Sequence, residues 1–214
     1  QRSLVGSEMC IRDRAYPVQM FMIAVCVGTG VGVNALLSRR LGEQDRAGAS
    51  AVAMNGVFVY LLSWLVFLLF GLFLARPFMG FFTCDPLITD YGGIYLSIVT
   101  CCSVGITMQF ATERILLASG DPLGPMIIQG IGAVLNLILD PLLIFGCGPV
   151  PPLGVAGAAL ATVSGQLLGM TVGFFLVSGR KDLSLSPRRF RPSGDVIRDI
   201  YRIAVSYTHL TLPT

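Results

Sequence analysis

The chain has 214 residues, 54% of them hydrophobic and 13% charged, with a formal net charge of +3. Soluble domains carry about 25% charged residues; here the mean hydropathy is +0.75 and the apolar residues fall in long blocks, so a water-soluble globule is excluded. The positive residues sit at block ends, which argues against a nucleic-acid patch, and the single histidine, His209, leaves histidine catalysis almost nothing to work with.

Residues 1–14 do not read as protein. Met9-Cys-Ile-Arg-Asp13 can be encoded by ATG TGT ATA AGA GAC, whose reverse complement, GTC TCT TAT ACA CAT, translates to Val-Ser-Tyr-Thr-His, the residues Val205 to His209. Two unrelated natural termini are not expected to be reverse complements of one short string, and this string resembles a transposon-end sequencing adapter. Residues 1–14 and 205–214 are therefore set aside. That removes Arg2, Glu8, Arg12, Asp13 and Arg14, a net +1, and leaves +2 on the remainder. The natural protein is expected to be longer.

Residues 15–178 hold five blocks that meet the roughly 20 apolar residues a spanning helix needs. They run about Tyr16–Ser38, Ala49–Ala75, Leu87–Ala118, Leu123–Phe145 and Val155–Val177. Long apolar runs without period-two alternation predict helices rather than barrel strands. Turn signals separate them: SRRLGEQDRAGAS, RPFMGFFTCDP, SGDP and GCGPVPPLG. Residues 179–193 form a basic linker, and 194–204 read as the amphipathic start of another helix. The expected fold is an all-α membrane bundle of about five transmembrane helices plus the start of a further one. Arg39, Arg40 and Arg46 in the first connection and Arg180, Lys181, Arg188, Arg189 and Arg191 in the linker place these two loops on the cytoplasmic side. The second connection has only Arg76 and the fourth has no basic residue, so the alternation agrees with five spans.

Gly28-Thr-Gly-Val-Gly32 lacks the third glycine of a dinucleotide loop and has no Walker lysine. Inside a spanning helix, Gly28 and Gly32 form a GxxxG packing motif. Gly157, Ala161, Gly165 and Gly169 make a similar stripe on the fifth block. The six cysteines show no metal-ligand spacing. Cys26, Cys101 and Cys102 read as small apolar fillers, while Cys84 and Cys147 near outer loops leave a disulfide open.

Charges inside a span cost roughly 2.5–3.5 kcal/mol each near the helix centre. Asp140 is the clearest case. Asn136 lies four residues earlier on the same face, and the Pro141 ring disrupts the bond to the Leu137 carbonyl and predicts a kink. Carboxylate, amide and freed carbonyl together suit oxygen ligation of sodium, or a protonatable site; the bland alternative is a structural hydrogen bond to a neighbouring helix. Glu113, beside Arg114 near the end of the third block, fits a local ion pair or headgroup contact as well as a functional group. Gln109, Thr162 and Gln166 either line a cavity or tie helices together.

The runs VGTGVGVNALLSRRLGEQDRAGA, ERILLASGDP, NLILDPLLIFG and PPLGVAGAALATVSGQ resemble, in order, the multidrug and toxic compound extrusion (MATE) transporters. The resemblance covers nearly all of Ala15–Ala204. It implies the second to sixth helices of a twelve-helix, two-lobe transporter, with the first helix and the C-terminal lobe absent as partners. It implies ion-coupled export of organic cations or amphipathic drugs across the inner membrane of a bacterium or archaeon, in contact with membrane lipid. Sodium or protons would be the coupling ion, and no cofactor is expected. Asn136 and Asp140 match the family's N-lobe pair residue by residue. Three alternatives stand beside it. A lipid-linked oligosaccharide flippase would want an arginine-lined cavity, whereas these arginines sit at helix ends. A non-transporting structural subunit would leave Asp140 tied to a neighbouring helix. An intramembrane enzyme lacks a nucleophile or metal constellation in this sequence.

Overall fold

A computed structural model describes the backbone of residues 2–82, 86–146, 151–180 and 192–210, and the side chains of 16–81, 89–146, 151–180 and 192–205. All regular structure among these residues is helical: α1 (Arg2–Gly42), α2 (Arg46–Phe73), α3 (Ala75–Phe82), α4 (Pro86–Cys101), α5 (Val104–Ala118), α6 (Leu123–Phe145), α7 (Val155–Ser178) and α8 (Gly194–Leu210). Five stretches are long and apolar enough to cross a membrane: Tyr16–Gly42, Arg46–Phe73, Thr89–Ala118, Leu123–Phe145 and Val155–Ser178. The terminal residues set aside above continue α1 back to Arg2 and α8 on to Leu210.

Two elements differ from the sequence expectation. The third span is broken at Cys102 and Ser103 into α4 and α5. Its hydroxyls compete with the helix ladder there: Thr100 donates to Leu96 O (2.6 Å), Ser103 to Thr100 O (2.7 Å) and Thr107 to Ser103 O (3.0 Å). Such back-bonding bends helices. The stretch expected as the second connection contains the short helix α3, which tucks Ala75 and Met79 into the core and leaves Phe81 exposed. Cys84, Cys147 and most of the basic linker lie outside the described residues, so the possible disulfide does too; Cys26, Cys101 and Cys102 are free thiols.

The core follows α1 along the bundle. Val18 and Met22 pack with Phe67, Met79, Leu96 and Ala159 at one end. Cys26, Tyr60, Met108 and Ala111 fill the middle. Val33 and Leu37 pack with Val52, Ile115, Ile128 and Ile200 at the other end. Around this core the surface is apolar, as a lipid-facing surface must be: Leu123, Met126, Val134, Leu137, Ile138 and Phe145 of α6 are all exposed.

The turns that the arginine count placed on one side do meet at one end. Gln44 and Arg46 of the α1–α2 turn line a cavity of about 410 Å³ with Ala118 and Ser119 of the α5–α6 turn. Arg180, just past α7, pairs with Asp121 of that same turn. The far flank of the linker returns there as well, with the Ser193 N–H donating to Asn55 Oδ1 of α2 at 3.0 Å. Helix α8 then lies on α1, where Gly32 faces the Ile200 carbonyl so closely that a Cβ would collide with it.

Candidate functional site

Helices α5, α6 and α7 position the polar residues. α7 lies close enough to α6 for backbone to approach backbone: a Cβ on Gly165 would sit 2.8 Å from Gly132 O, and one on Gly132 would sit 3.1 Å from Gly165 O. Gly157 faces the Leu143 carbonyl in the same way, and Gly169 is covered by the Gln109 side chain, whose Oε1 would lie 2.7 Å from an added Cβ. The small-residue stripe on α7 thus faces both neighbours. The GxxxG expectation on α1 needs correction. Only Gly32 is packed, because α8 crosses α1 there; Gly28 has open space around it.

This close packing surrounds a cavity of about 280 Å³ lined by Gln109, Gln129, Gly132, Ala133, Asn136, Thr162, Gly165 and Gln166. Gln109, Asn136, Thr162 and Gln166, scattered over 58 positions of sequence, share it. Asn136 is the hinge of the polar network. In the amide orientation that satisfies both ends, its Nδ2 donates to Asp140 Oδ2 at 3.3 Å and its Oδ1 accepts from the Thr162 backbone N–H at 3.2 Å. Asp140 Oδ1 is buried without a hydrogen-bond partner, and so is Gln166 Oε1. The helix does not break at Pro141: α6 is one helix from Leu123 to Phe145. Pro141 sits inside it, removing one ladder bond because proline lacks an N–H.

Glu113 is 3% exposed, so it is not the headgroup contact that its place near a helix end suggested. Nor does it pair with Arg114. Gln109 Nε2 donates to its Oε1 at 3.0 Å and Gln129 Nε2 donates to its Oε2 at 3.1 Å. The carboxylate is thus held behind the cavity by two of the lining residues. Gln129 was missed in the sequence because an amide in the first half of α6 gives no signal until α5 is laid beside it. Arg114 also departs from expectation. Its guanidinium turns back over the Phe110 ring, 5.9 Å from the centroid, and its Nε is buried without a partner. Among the described residues, no arginine lines the cavity.

Five helices long and apolar enough to cross a membrane, packed around an amide-lined cavity and carrying the carboxylates Glu113 and Asp140 within two of these stretches, define an integral membrane protein of the polytopic helical class. The family model MatE matches residues 13–142, and the chain belongs to that family. It is 28% identical over 183 residues to the FAD transporter of Shewanella oneidensis, covering 82% of this chain and 39% of that protein. It is 24% identical over 187 residues to a probable multidrug resistance protein, NorM, of Thermotoga maritima, covering 86% of this chain and 40% of that one. Among solved structures, a MATE protein in complex with MaD3S superposes with a TM-score of 0.85 at 25% identity, over 95% of this chain and 46% of that chain. A MOP superfamily transporter from Pyrococcus furiosus gives 0.85 at 25% identity, over 98% and 46%. The chain spans about two fifths of the length of the curated relatives it matches.

Proposed function

We propose that this chain is the N-terminal lobe of an ion-coupled efflux transporter that exports cationic or amphipathic organic compounds by alternating access. The observation that carries the reading is the Asn136–Asp140 pair: a carboxylate in a spanning helix, fixed by one oxygen and left with its other oxygen buried and unpartnered beside an amide-lined cavity. Intramembrane carboxylates of this kind mark ion or proton pathways. The matched relatives carry the names of a FAD transporter and of multidrug export proteins, which supports an organic amphipathic substrate. The membrane is the inner membrane of a bacterium or archaeon, with the end that holds Arg39, Arg40, Arg46 and Arg180 facing the cytoplasm.

In this reading a sodium ion or proton arriving from outside occupies Asp140. Neutralising that carboxylate changes what Asn136 can bond to, and Asn136 joins α6 to α7 through the Thr162 backbone. Occupation therefore favours one packing of the α6–α7 seam over another, and a ligand shifts such an equilibrium only by its differential affinity for the two states. Glu113, presented to the same cavity through Gln109 and Gln129, is the second group able to respond to a cation or a charged substrate. A flippase of lipid-linked sugars fits less well, since the cavity lining contains no arginine among the described residues.

The test is Asp140→Asn in the full-length transporter that carries this lobe. Ion-driven uptake of ethidium into inverted vesicles, which corresponds to efflux from the cell, is expected to be lost while membrane insertion and expression stay at wild-type levels. Wild-type efflux by that variant would sink the coupling role.

A further inference from the structure

Glu113 orients two of the amides that line the cavity between α5, α6 and α7. An ionised carboxylate only accepts hydrogen bonds, so an amide bonded to it must present its N–H. Gln109 does so at 3.0 Å and Gln129 at 3.1 Å, which turns the Oε1 of each away from Glu113. Two glycines bring a third amide to the same level. A Cβ on Gly105 of α5 would lie 3.1 Å from Gln166 Cβ, and one on Gly169 of α7 would lie 2.7 Å from Gln109 Oε1. Gln166 Oε1 is buried and accepts nothing. Among the described residues, no donor bonds to the Oε1 of Gln109 or Gln129 either. The cavity of about 280 Å³ thus carries three amide oxygens without a donor, and no basic side chain among its described lining residues. Buried polar atoms are nearly always satisfied, and each exception calls for a missing partner.

We propose that this cavity takes the N–H-bearing head of a cationic substrate, an ammonium, amidinium or guanidinium group, in preference to a quaternary cation that has no N–H. Gln166 is a direct ligand of that head, and Glu113 is the positioning residue that keeps the oxygens of Gln109 and Gln129 available to it. The proposal rests on the efflux reading above and adds to it the class of substrate. The charge of Glu113 attracts any cation: it is 3% exposed, it bonds to amides rather than to a basic side chain, and Arg114 turns its guanidinium over Phe110 instead. Charge alone does not separate the two kinds of cation, but the amide oxygens do. An N–H satisfies such an oxygen as it enters, whereas a methyl group strips away its water and returns no bond. A site built around hydrogen bonds rejects an analogue lacking the donor far more strongly than an apolar pocket rejects one extra methyl. Without the carboxylate, Gln109 and Gln129 could turn either end of the amide to the cavity, and the preference would fade.

The experiment measures equilibrium binding of two tritiated probes, benzyldimethylammonium and benzyltrimethylammonium, to the full-length transporter in lipid nanodiscs by scintillation proximity. Both carry one positive charge at neutral pH, and they differ by the single methyl that replaces the N–H. Wild type is expected to bind the first probe about tenfold or more tighter than the second. Gln166→Met, similar in length but without the oxygen, is expected to lower affinity for the first probe toward that for the second and to leave the second unchanged. Glu113→Gln is expected to weaken both, because the charge is lost, and to narrow the difference between them. Far-UV circular dichroism of each variant checks for wild-type helix content. Equal wild-type affinities for the two probes overturn the proposal, and so does a preference that survives undiminished in both variants. Neither result bears on ion-driven uptake in Asp140→Asn, so the efflux reading stands or falls on its own test.

Discussion

Two glycines on opposite sides of one seam supply the sharpest test of how this lobe is built. Gly165 of α7 faces Gly132 of α6, and a methyl at 165 would lie 2.8 Å from the Gly132 carbonyl oxygen. Ordinary contact starts a few tenths of an ångström further out, and a backbone carbonyl inside a helix cannot swing aside, so the two helices must separate. Overpacking of this kind costs about 1–3 kcal/mol. Against it stands the better helix propensity of alanine, worth up to about 1 kcal/mol. Gly165→Ala should therefore destabilise by roughly 1–2 kcal/mol. Gly130, two residues from Gly132 on α6, has open space around it. Gly130→Ala should fall between no change and about 1 kcal/mol of gain. The assay is unfolding of the purified chain in mixed micelles titrated with sodium dodecyl sulfate, followed by far-UV circular dichroism. Separation of the seam also stretches the 3.2 Å contact between Asn136 and the Thr162 N–H, so amide exchange around Thr162 should quicken in Gly165→Ala. Equal shifts in the two variants, or wild-type stability with unchanged exchange in Gly165→Ala, would refute the close seam.

Other outcomes follow from single contacts. Glu113→Leu leaves the Gln109 and Gln129 amides without their acceptor, at about 1–3 kcal/mol each; a lowered midpoint in the same titration, partly restored in Glu113→Gln, checks it, and equal midpoints count against the cage. Asn55→Leu removes the acceptor of the Ser193 N–H, so residues 194–204 should exchange amide hydrogens faster by mass spectrometry; unchanged protection would mean α8 is held by its apolar face alone. The Asp121–Arg180 pair is partly exposed, with side chains 21% and 35% accessible, and Arg180→Gln should cost no more than about 1 kcal/mol, less at high salt. Cysteines placed at Gln44, Ser119 and Gly179 should all react with an impermeant maleimide from one side of the membrane, and one at Leu153 from the other; a mixed pattern would break the five-span topology.

Much of the site was legible in the sequence. Asp140 stood out because a charge in an apolar run is costly, and Asn136 because four residues is one helical turn. Gln109, Thr162 and Gln166 were visible as polar residues in spans, yet nothing in the sequence distinguished a shared cavity from separate ties between helices. For Glu113 the sequence left a headgroup or ion-pair contact and a functional group both open, because distance from a helix end does not say which way a side chain points; the structure buries it against Gln109 and Gln129. Gly28 was misjudged because a packing motif needs a partner, and only the crossing of α8 decides that Gly32 has one.

By itself, the sequence determined the number, order and helical character of the spans, since insertion in lipid depends on local hydropathy and on backbone bonds closed within each segment. It also determined which turns share an end, through the placement of arginine. Only the tertiary structure decided that five polar side chains from three helices meet around one cavity, that Glu113 is held by two glutamines, and that an oxygen of Asp140 and one of Gln166 are buried without a partner. Those facts depend on the rotation and separation of helices about one another, which are set by where small residues let backbones touch, and that is a property of pairs of helices rather than of any one stretch of chain.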